Sequence, residues 1–447
     1  MSAAPTPVQG HVQDILGIGF GPSNLALAVA VEEHNRRCGE DERLDASFVE
    51  RKPRFGWHRG MLIEGTTMQV SFLKDLVTMR EPASDFSFLS YLHDKGRLVD
   101  FINHKTMFPT RVEYHDYLEW AAGRLEHLAD YDAEVIDVRP VQDGDVFEVL
   151  VRHGSGQVTT RLTRNIVVAV GLEASLPPGA ELGDRVWHNL ELMHRVGELD
   201  GTEPRRFTIV GAGQSAAEVT DHLHRSFPEA EVCSVFSRYG HTPADDSPFA
   251  NRIFDPDAVD HFYTSPTEVK QMLMDYHRNT NYSVVDLELI EQLYARAYQE
   301  KVQGKERLRM LNASRVTDVE TSADGVAVTV EFLPTGEREV LDSDVLVYAT
   351  GCRPGDPGRF LGRTWGECLQ DADGQVQVDR DYRVRTTDGV HGGVYFQGGT
   401  EHTHGITSSL LSNGAVRAGD IRDSILRYRN APRVTAPSDY ALTAEHA

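Results

Sequence analysis

Apolar residues along this chain fall in short runs that end at glycine. Val12–Leu16 runs straight into Gly17-Ile-Gly-Phe-Gly-Pro-Ser-Asn-Leu25, and Leu25 to Val31 is a good helix former. The order predicts a strand, a tight turn and a helix. Phe207–Val210 repeats it, followed by Gly211-Ala-Gly-Gln-Ser-Ala-Ala-Glu-Val219 and a helix to about Ser226. Ala46–Glu50 and Glu231–Ser237 are apolar strands one helix downstream of each turn, as a βαβ unit requires. Gly325–Phe332 and Asp344–Thr350 predict further strands. The second of these ends in Ala349-Thr-Gly-Cys-Arg-Pro354 and is expected to close the first unit, with Ile166–Gly171 as its counterpart.

The predicted fold class is therefore α/β, with two Rossmann-like dinucleotide-binding domains and a smaller helical region. Residues 1–204 and 341–430 form the first, discontinuous domain, and residues 205–242 and 304–340 form the second. Residues 243–303 carry a helical pattern with little strand character and make the third element. Residues 431–447 read as a flexible tail.

Composition narrows the function. The 447 residues are 40% hydrophobic and 25% charged, an ordinary globular balance, and the formal charge of −23 argues against a nucleic-acid partner. The cysteines, Cys38, Cys233, Cys352 and Cys368, form no C-x-x-C pair, which excludes a dithiol centre, a structural zinc and a disulfide scaffold. No uncharged apolar run approaches the roughly 18 residues of a membrane helix. Met1–Gly10 has no basic or apolar leader, so a cytoplasmic protein without membrane contact is expected.

The turns carry the first chemistry. Gly17 permits the tight turn and Gly19 lets the backbone approach a pyrophosphate, which the next helix N-terminus stabilises; Pro22 takes the third glycine position. Near the N-terminus this reads as an FAD turn, with Glu50 placed for the adenosine ribose hydroxyls. Gly211 and Gly213 do the same work in the second unit, where Gln214 and Ser215 open the helix and Ala216 allows close packing. Arg238 stands where NAD would need a carboxylate, and a guanidinium there suits the 2′-phosphate of NADPH. Two such sites imply hydride transfer from NADPH to flavin. Without a cysteine pair, the obvious final acceptor is oxygen.

Four further segments are then informative together: Met68-Gln-Val-Ser-Phe-Leu-Lys-Asp-Leu76, Asp245-Asp-Ser-Pro-Phe-Ala-Asn251, Thr280-Asn-Tyr-Ser-Val-Val285 and His402-Thr-His-Gly-Ile-Thr-Ser-Ser-Leu-Leu-Ser412. In this order, beside both turns, they resemble the microbial N-hydroxylating flavin monooxygenases, specifically the L-ornithine N5-monooxygenases of siderophore biosynthesis. The resemblance covers about residues 12–425. It implies FAD and NADPH as cofactors, O2 and L-ornithine as substrates, a C4a-hydroperoxyflavin that oxygenates the side-chain amine, and a homo-tetramer. It also implies that Gln69 lies beside the isoalloxazine, Trp57 and His58 line the flavin pocket, and Lys74, Asn251 and Asn281 bind the amino acid. Gln69 and Asn281 carry the catalytic roles, Arg238 the NADPH phosphate, and Leu410 and Ser412 line flavin and substrate.

The residue types suit those roles. A lysine facing a desolvated pocket requires an anion, which an α-carboxylate supplies, and asparagine amides serve both ends of a zwitterion. Asp245-Asp246 and His402-x-His404 lack the companions a metal site needs and read as a cap and a tight turn, so no metal is expected. L-lysine N6-hydroxylation, diamine N-hydroxylation and a redox regulator without turnover are the alternatives.

Overall fold

The computed structural model describes residues 10–199, 201–277 and 280–430, so the expected tail lies outside the described residues. Its first sheet runs in the order Ala129–Asp130, Ala46–Val49, Val12–Ile18, Val158–Val168, Val146–His153, Ala133–Val141. The first four are parallel and the last two fold back antiparallel. Successive side chains of a strand face opposite sides, and Val12–Ile18 is apolar on both. Ile15 joins the core under the helix Pro22–Arg37, while Leu16 and Ile18 join the core on the other face. Helix Pro22–Arg37 is accordingly buried over Asn24–Val31 and lies against helices Arg111–Arg124 and Gly414–Asn430.

The second sheet is wholly parallel, in the order Leu308–Leu311, Glu231–Val235, Arg206–Val210, Val345–Tyr348, Val186–His188. Helix Gln214–Ser226 covers one face together with helix Leu287–Gln303. A three-stranded antiparallel sheet, Ser314–Thr321, Val326–Phe332 and Arg338–Ser343, covers the other through Val326, Val328, Val330 and Leu341.

One strand assignment from the sequence is corrected here. Val345–Tyr348, within the expected closing strand of the first domain, lies between Arg206–Val210 and Val186–His188 in the second sheet. The first sheet is extended instead by Gly393–Phe396, paired with Asn165–Val168. Both candidates are four buried apolar residues, so the pattern reports their burial but not their partner.

The chain passes between the sheets twice. Leu172–Ala174 leads out of the first and Cys352–Pro354 leads back, and the two pair antiparallel with Ala174 opposite Cys352. Ser175 N donates to Gly351 O at 3.0 Å and Thr350 Oγ1 to Ser175 O at 2.5 Å. Between Glu231–Val235 and Leu308–Leu311 the chain forms a 3-10 segment, Ala250–Phe254, and helices Pro256–Thr264, Thr267–His277 and Leu287–Gln303.

Candidate functional site

The first glycine turn is built for close approach. Gly19 has φ of 86°, a left-handed conformation, and a Cβ on it would lie 2.5 Å from Ala169 O. Pro22 occupies the first helical position, where its missing N–H costs nothing, and no side chain caps the helix. Its free amides remain for an anion. Glu50 is 9% exposed and braces the turn: Phe20 N donates to Oε2 at 2.8 Å and Lys52 N to Oε1 at 3.0 Å. Asn24 is fully buried and donates to Gly19 O at 2.7 Å, while Gln397 Nε2 donates to Asn24 Oδ1 at 2.9 Å.

Beneath this turn lies a charge the sequence reading missed. Arg417, 2% exposed, donates to Ser408 O at 2.7 Å, Ser23 Oγ at 3.3 Å and Gln397 Oε1 at 3.5 Å. Burial lowers its pKa, and Tyr382 and Asp420 oppose that shift. No carboxylate among the described residues pairs with it. Arg417 thus locks residues 407–408 to the turn. The segment it holds carries buried oxygens without a hydrogen-bond partner among the described residues: Thr400 Oγ1, Ser408 Oγ, Ser412 Oγ and Asn413 Oδ1. Buried polar groups are rarely left unpaired, so their clustering beside an uncapped helix and a glycine turn fits a bound dinucleotide with a polar ring system.

The second turn has the same form. Gly211 brings its backbone against Ala349 O, where a Cβ would collide, and helix Gln214–Ser226 has no side-chain cap. Gly213 faces Ser283, whose Cα would be 3.3 Å from an added Cβ. Ser215 is half-buried in the first helical turn. Arg238 is half-buried at the mouth and donates to Ser283 O at 2.9 Å and Thr242 Oγ1 at 3.2 Å, so its guanidinium is held in place at the end of the second strand.

Lys74 is half-buried, with Nζ 5.8 Å from the centre of the Phe254 ring and no carboxylate among the described residues within ion-pair distance. Its neighbour Asp75, 3% exposed, accepts hydrogen bonds from Thr78 N and Phe88 N, each at 2.7 Å, and from Val77 N at 3.0 Å. Burial raises the Asp75 pKa and these amides pull it back. The anchored loop fixes where Lys74 emerges. Phe254 O accepts from Asn413 Nδ2 at 3.2 Å, joining this loop to the Leu410–Ser412 segment through Ala250–Phe254. Leu410 is half-buried at the junction of two short 3-10 segments, and Ser412 is buried.

Asn251 lies in the same 3-10 segment but donates Nδ2 to Asp246 O at 2.8 Å, so part of its amide serves its own loop. Asp245 Oδ1 accepts from Ser247 N at 3.2 Å, closing a turn rather than capping the helix. Asn281 is half-buried and begins a stretch that holds Arg238 through Ser283 O and reaches Gln69 and Gln214 through Asp286. Trp57 lies edge-on to Tyr114 at 5.8 Å and to His58 at 4.8 Å, and His58 adopts a left-handed φ of 48°. Gln69 is exposed and donates Nε2 to Asp286 Oδ2 at 2.6 Å. Across the same junction Arg111 makes a two-fold ion pair with Glu218 at 2.8 and 2.9 Å.

The two histidines of His402-x-His404 brace loops. His402 Nε2 is 2.7 Å from Val376 O, and His404 Nε2 is 3.1 Å from Arg380 O with its ring stacked 4.1 Å from Tyr382. Burial pushes the His404 pKa down to about 3. The folded state therefore binds fewer protons at this group than the unfolded state once pH falls below the ordinary value of 6.5. Its contribution is whole above that pH, and at pH 5 about 2 kcal/mol is lost. Urea midpoints at pH 7.5 and 5 should show this, and His404→Gln should flatten the difference.

Two uncapped glycine turns, each ending a parallel strand, together with Lys74 lacking a carboxylate partner among the described residues, define an α/β oxidoreductase that handles two nucleotides. The L-ornithine N(5)-monooxygenase of Burkholderia cepacia is 42% identical over 425 residues, spanning 92% of this chain and 94% of that one. The ornithine N-hydroxylase of Kutzneria sp. 744, solved with reduced FAD, NADP+ and L-ornithine, superposes with a TM-score of 0.90 at 46% identity, over 94% of this chain and all of that one. The ornithine hydroxylase of Pseudomonas aeruginosa gives a TM-score of 0.87 at 33% identity, again over 94% of this chain and all of that one. The model of the L-lysine 6-monooxygenase/L-ornithine 5-monooxygenase family matches residues 11–354, and the chain belongs to that family. No helix among the described residues is long and apolar enough to cross a membrane.

Proposed function

We propose that this protein hydroxylates the side-chain nitrogen of L-ornithine, with FAD in the first turn and NADPH in the second, to give a hydroxylamine for hydroxamate natural products such as siderophores. The observation that carries the reading is Lys74, a half-buried cation over Phe254 with no carboxylate partner among the described residues. A substrate α-carboxylate is the anion this position lacks. The Kutzneria relative, solved with FAD, NADP+ and L-ornithine, supports the same three occupants.

When bound, the flavin supplies activation of dioxygen by the two electrons of NADPH. The protein's own residues hold and orient. Glu50 would hold the adenosine ribose, the free amides after Gly21 would hold the diphosphate, and Ser408, Ser412 and Asn413 would offer the ring system polar partners. Lys74, with Asn251 and Asn281, fixes the amino-acid end. A side-chain ammonium with a pKa of about 10.4 is not nucleophilic, and desolvation in a pocket favours its neutral form. In this reading residues 10–174 and 352–430 form the flavin unit, 175–351 the pyridine-nucleotide unit, and the helices after Phe249 close the substrate pocket.

The family also includes lysine 6-monooxygenases, and one methylene is worth only about 1–3 kcal/mol in a pocket. Assaying the purified flavoprotein with ornithine, lysine and putrescine, and quantifying hydroxylamine product, tests the reading. Ornithine should be preferred, and NADPH oxidation that yields only hydrogen peroxide with every amine would overturn it. Arg238→Ala should raise KM for NADPH roughly 10- to 100-fold and leave KM for NADH nearly unchanged, since only the former carries the 2′-phosphate. Initial rates with both nucleotides check this.

A further inference from the structure

Asp286 immediately precedes helix Leu287–Gln303, where an aspartate ordinarily accepts hydrogen bonds from the first free amides of its own helix. It makes no such cap. Its Oδ2 instead accepts from two side-chain amides, Gln69 Nε2 at 2.6 Å and Gln214 Nε2 at 3.0 Å. Its backbone N–H donates to Gln214 Oε1 at 2.8 Å, so one residue grips both ends of that amide. Gln214 Nε2 also donates to Glu218 Oε1 at 3.0 Å, which uses the second of its two N–H donors. Gln214 opens the helix after the second glycine turn, whereas Gln69 belongs to the first unit. The carboxylate therefore ties the Gln69 loop of the first unit to the second nucleotide turn.

We infer that Asp286 is a positioning residue that ties the Gln69 loop of the first unit to the second nucleotide turn, so that a pyridine nucleotide bound there also fixes that loop. The inference rests on the reading that the second turn takes NADP(H). The chain leading to Asp286 makes the link mechanical. Ser283 O holds Arg238 at 2.9 Å, and the Ser283 backbone packs over Gly213 in a left-handed φ of 55°. Tyr282 reaches Glu401 in the segment below the first turn. A nucleotide entering against Gly213 and Arg238 thus touches the same short stretch that ends at Asp286. An ionised acceptor makes shorter and stronger hydrogen bonds than a neutral one, which suits a carboxylate that must hold two amides at once.

The test uses the flavin-loaded protein, NADP+ as probe, and the variants Asp286→Ala, Asp286→Asn, Gln69→Ala and the double Asp286→Ala/Gln69→Ala. Hydrogen–deuterium exchange of residues 68–74 is followed with and without saturating NADP+. In the wild type and in Asp286→Asn, whose amide oxygen can still accept, NADP+ should slow exchange in this segment. In Asp286→Ala that protection should fall about fivefold, the worth of one hydrogen bond. Hydrogen peroxide per hydroxylamine should rise by a similar factor in Asp286→Ala, and the double variant should be no worse than Gln69→Ala alone. Protection in Asp286→Ala equal to wild type, additive losses in the double variant, or no NADP+-dependent protection in the wild type would each overturn the inference. Protection that follows Asp286 in a protein yielding no hydroxylamine from any amine would uphold it while rejecting the proposed reaction.

Discussion

Lys74→Met should raise KM for L-ornithine roughly 10- to 100-fold, the range expected when a hydrogen bond to a charged group is lost. The effect should be absent with putrescine, which has no carboxylate to meet the ammonium. The methionine keeps most of the stem that packs toward Phe254, and the loop itself is held by Asp75 rather than by Lys74. A change in folding is therefore not expected to accompany the kinetic change. Steady-state kinetics with both amines, together with a thermal melt, check the prediction. Equal losses with ornithine and putrescine would remove Lys74 from the substrate site.

Glu218→Ala should destabilise the protein by about 3–5 kcal/mol, because it leaves a buried guanidinium without its partner. The Arg111 and Glu218 side chains are 12% and 3% exposed, and the pair is two-fold, so little solvent screens it. Glu218 also accepts from Gln214, so the loss reaches the second turn directly. Replacing both partners, as Arg111→Met/Glu218→Leu, should recover most of the stability because no unpaired charge remains. Urea unfolding followed by flavin fluorescence and by far-UV circular dichroism measures both effects. Loss of less than about 1 kcal/mol in the single variant would mean that water reaches Arg111.

What the sequence displays and what it hides differ by range. Each glycine turn is legible because strand, glycines and helix lie within about a dozen consecutive positions and each obeys a local rule. The positions of Glu50 and Arg238 just after the next strand are legible for the same reason. The strand Val345–Tyr348 is legible as a strand but not as a member of the second sheet, because pairing is chosen by non-local packing that a run of apolar residues does not encode. Asp286 is hidden more deeply. It looks like a helix cap in sequence, and its actual partner Gln69 is 217 positions away. Gln397 and Asn24, 373 positions apart, meet for the same reason. Arg417 interrupts an otherwise apolar buried face of its helix formed by Ala418, Ile421 and Ile425, and a charge on an apolar face is the one local sign that could have drawn attention to it.

The paired crossing of Leu172–Ala174 with Cys352–Pro354 has a consequence for how this architecture can change. The whole second sheet enters and leaves its host through one doorway, with Ala174 and Cys352 as facing jambs. Such an arrangement makes the second sheet and its covers a cartridge, which can be exchanged, enlarged or trimmed without rerouting the chain of the first sheet. What has to be rebuilt after an exchange is the contact between the two halves, where Arg111 meets Glu218, Gln69 meets Asp286, and Met61 and Ile63 enter the core of the second sheet.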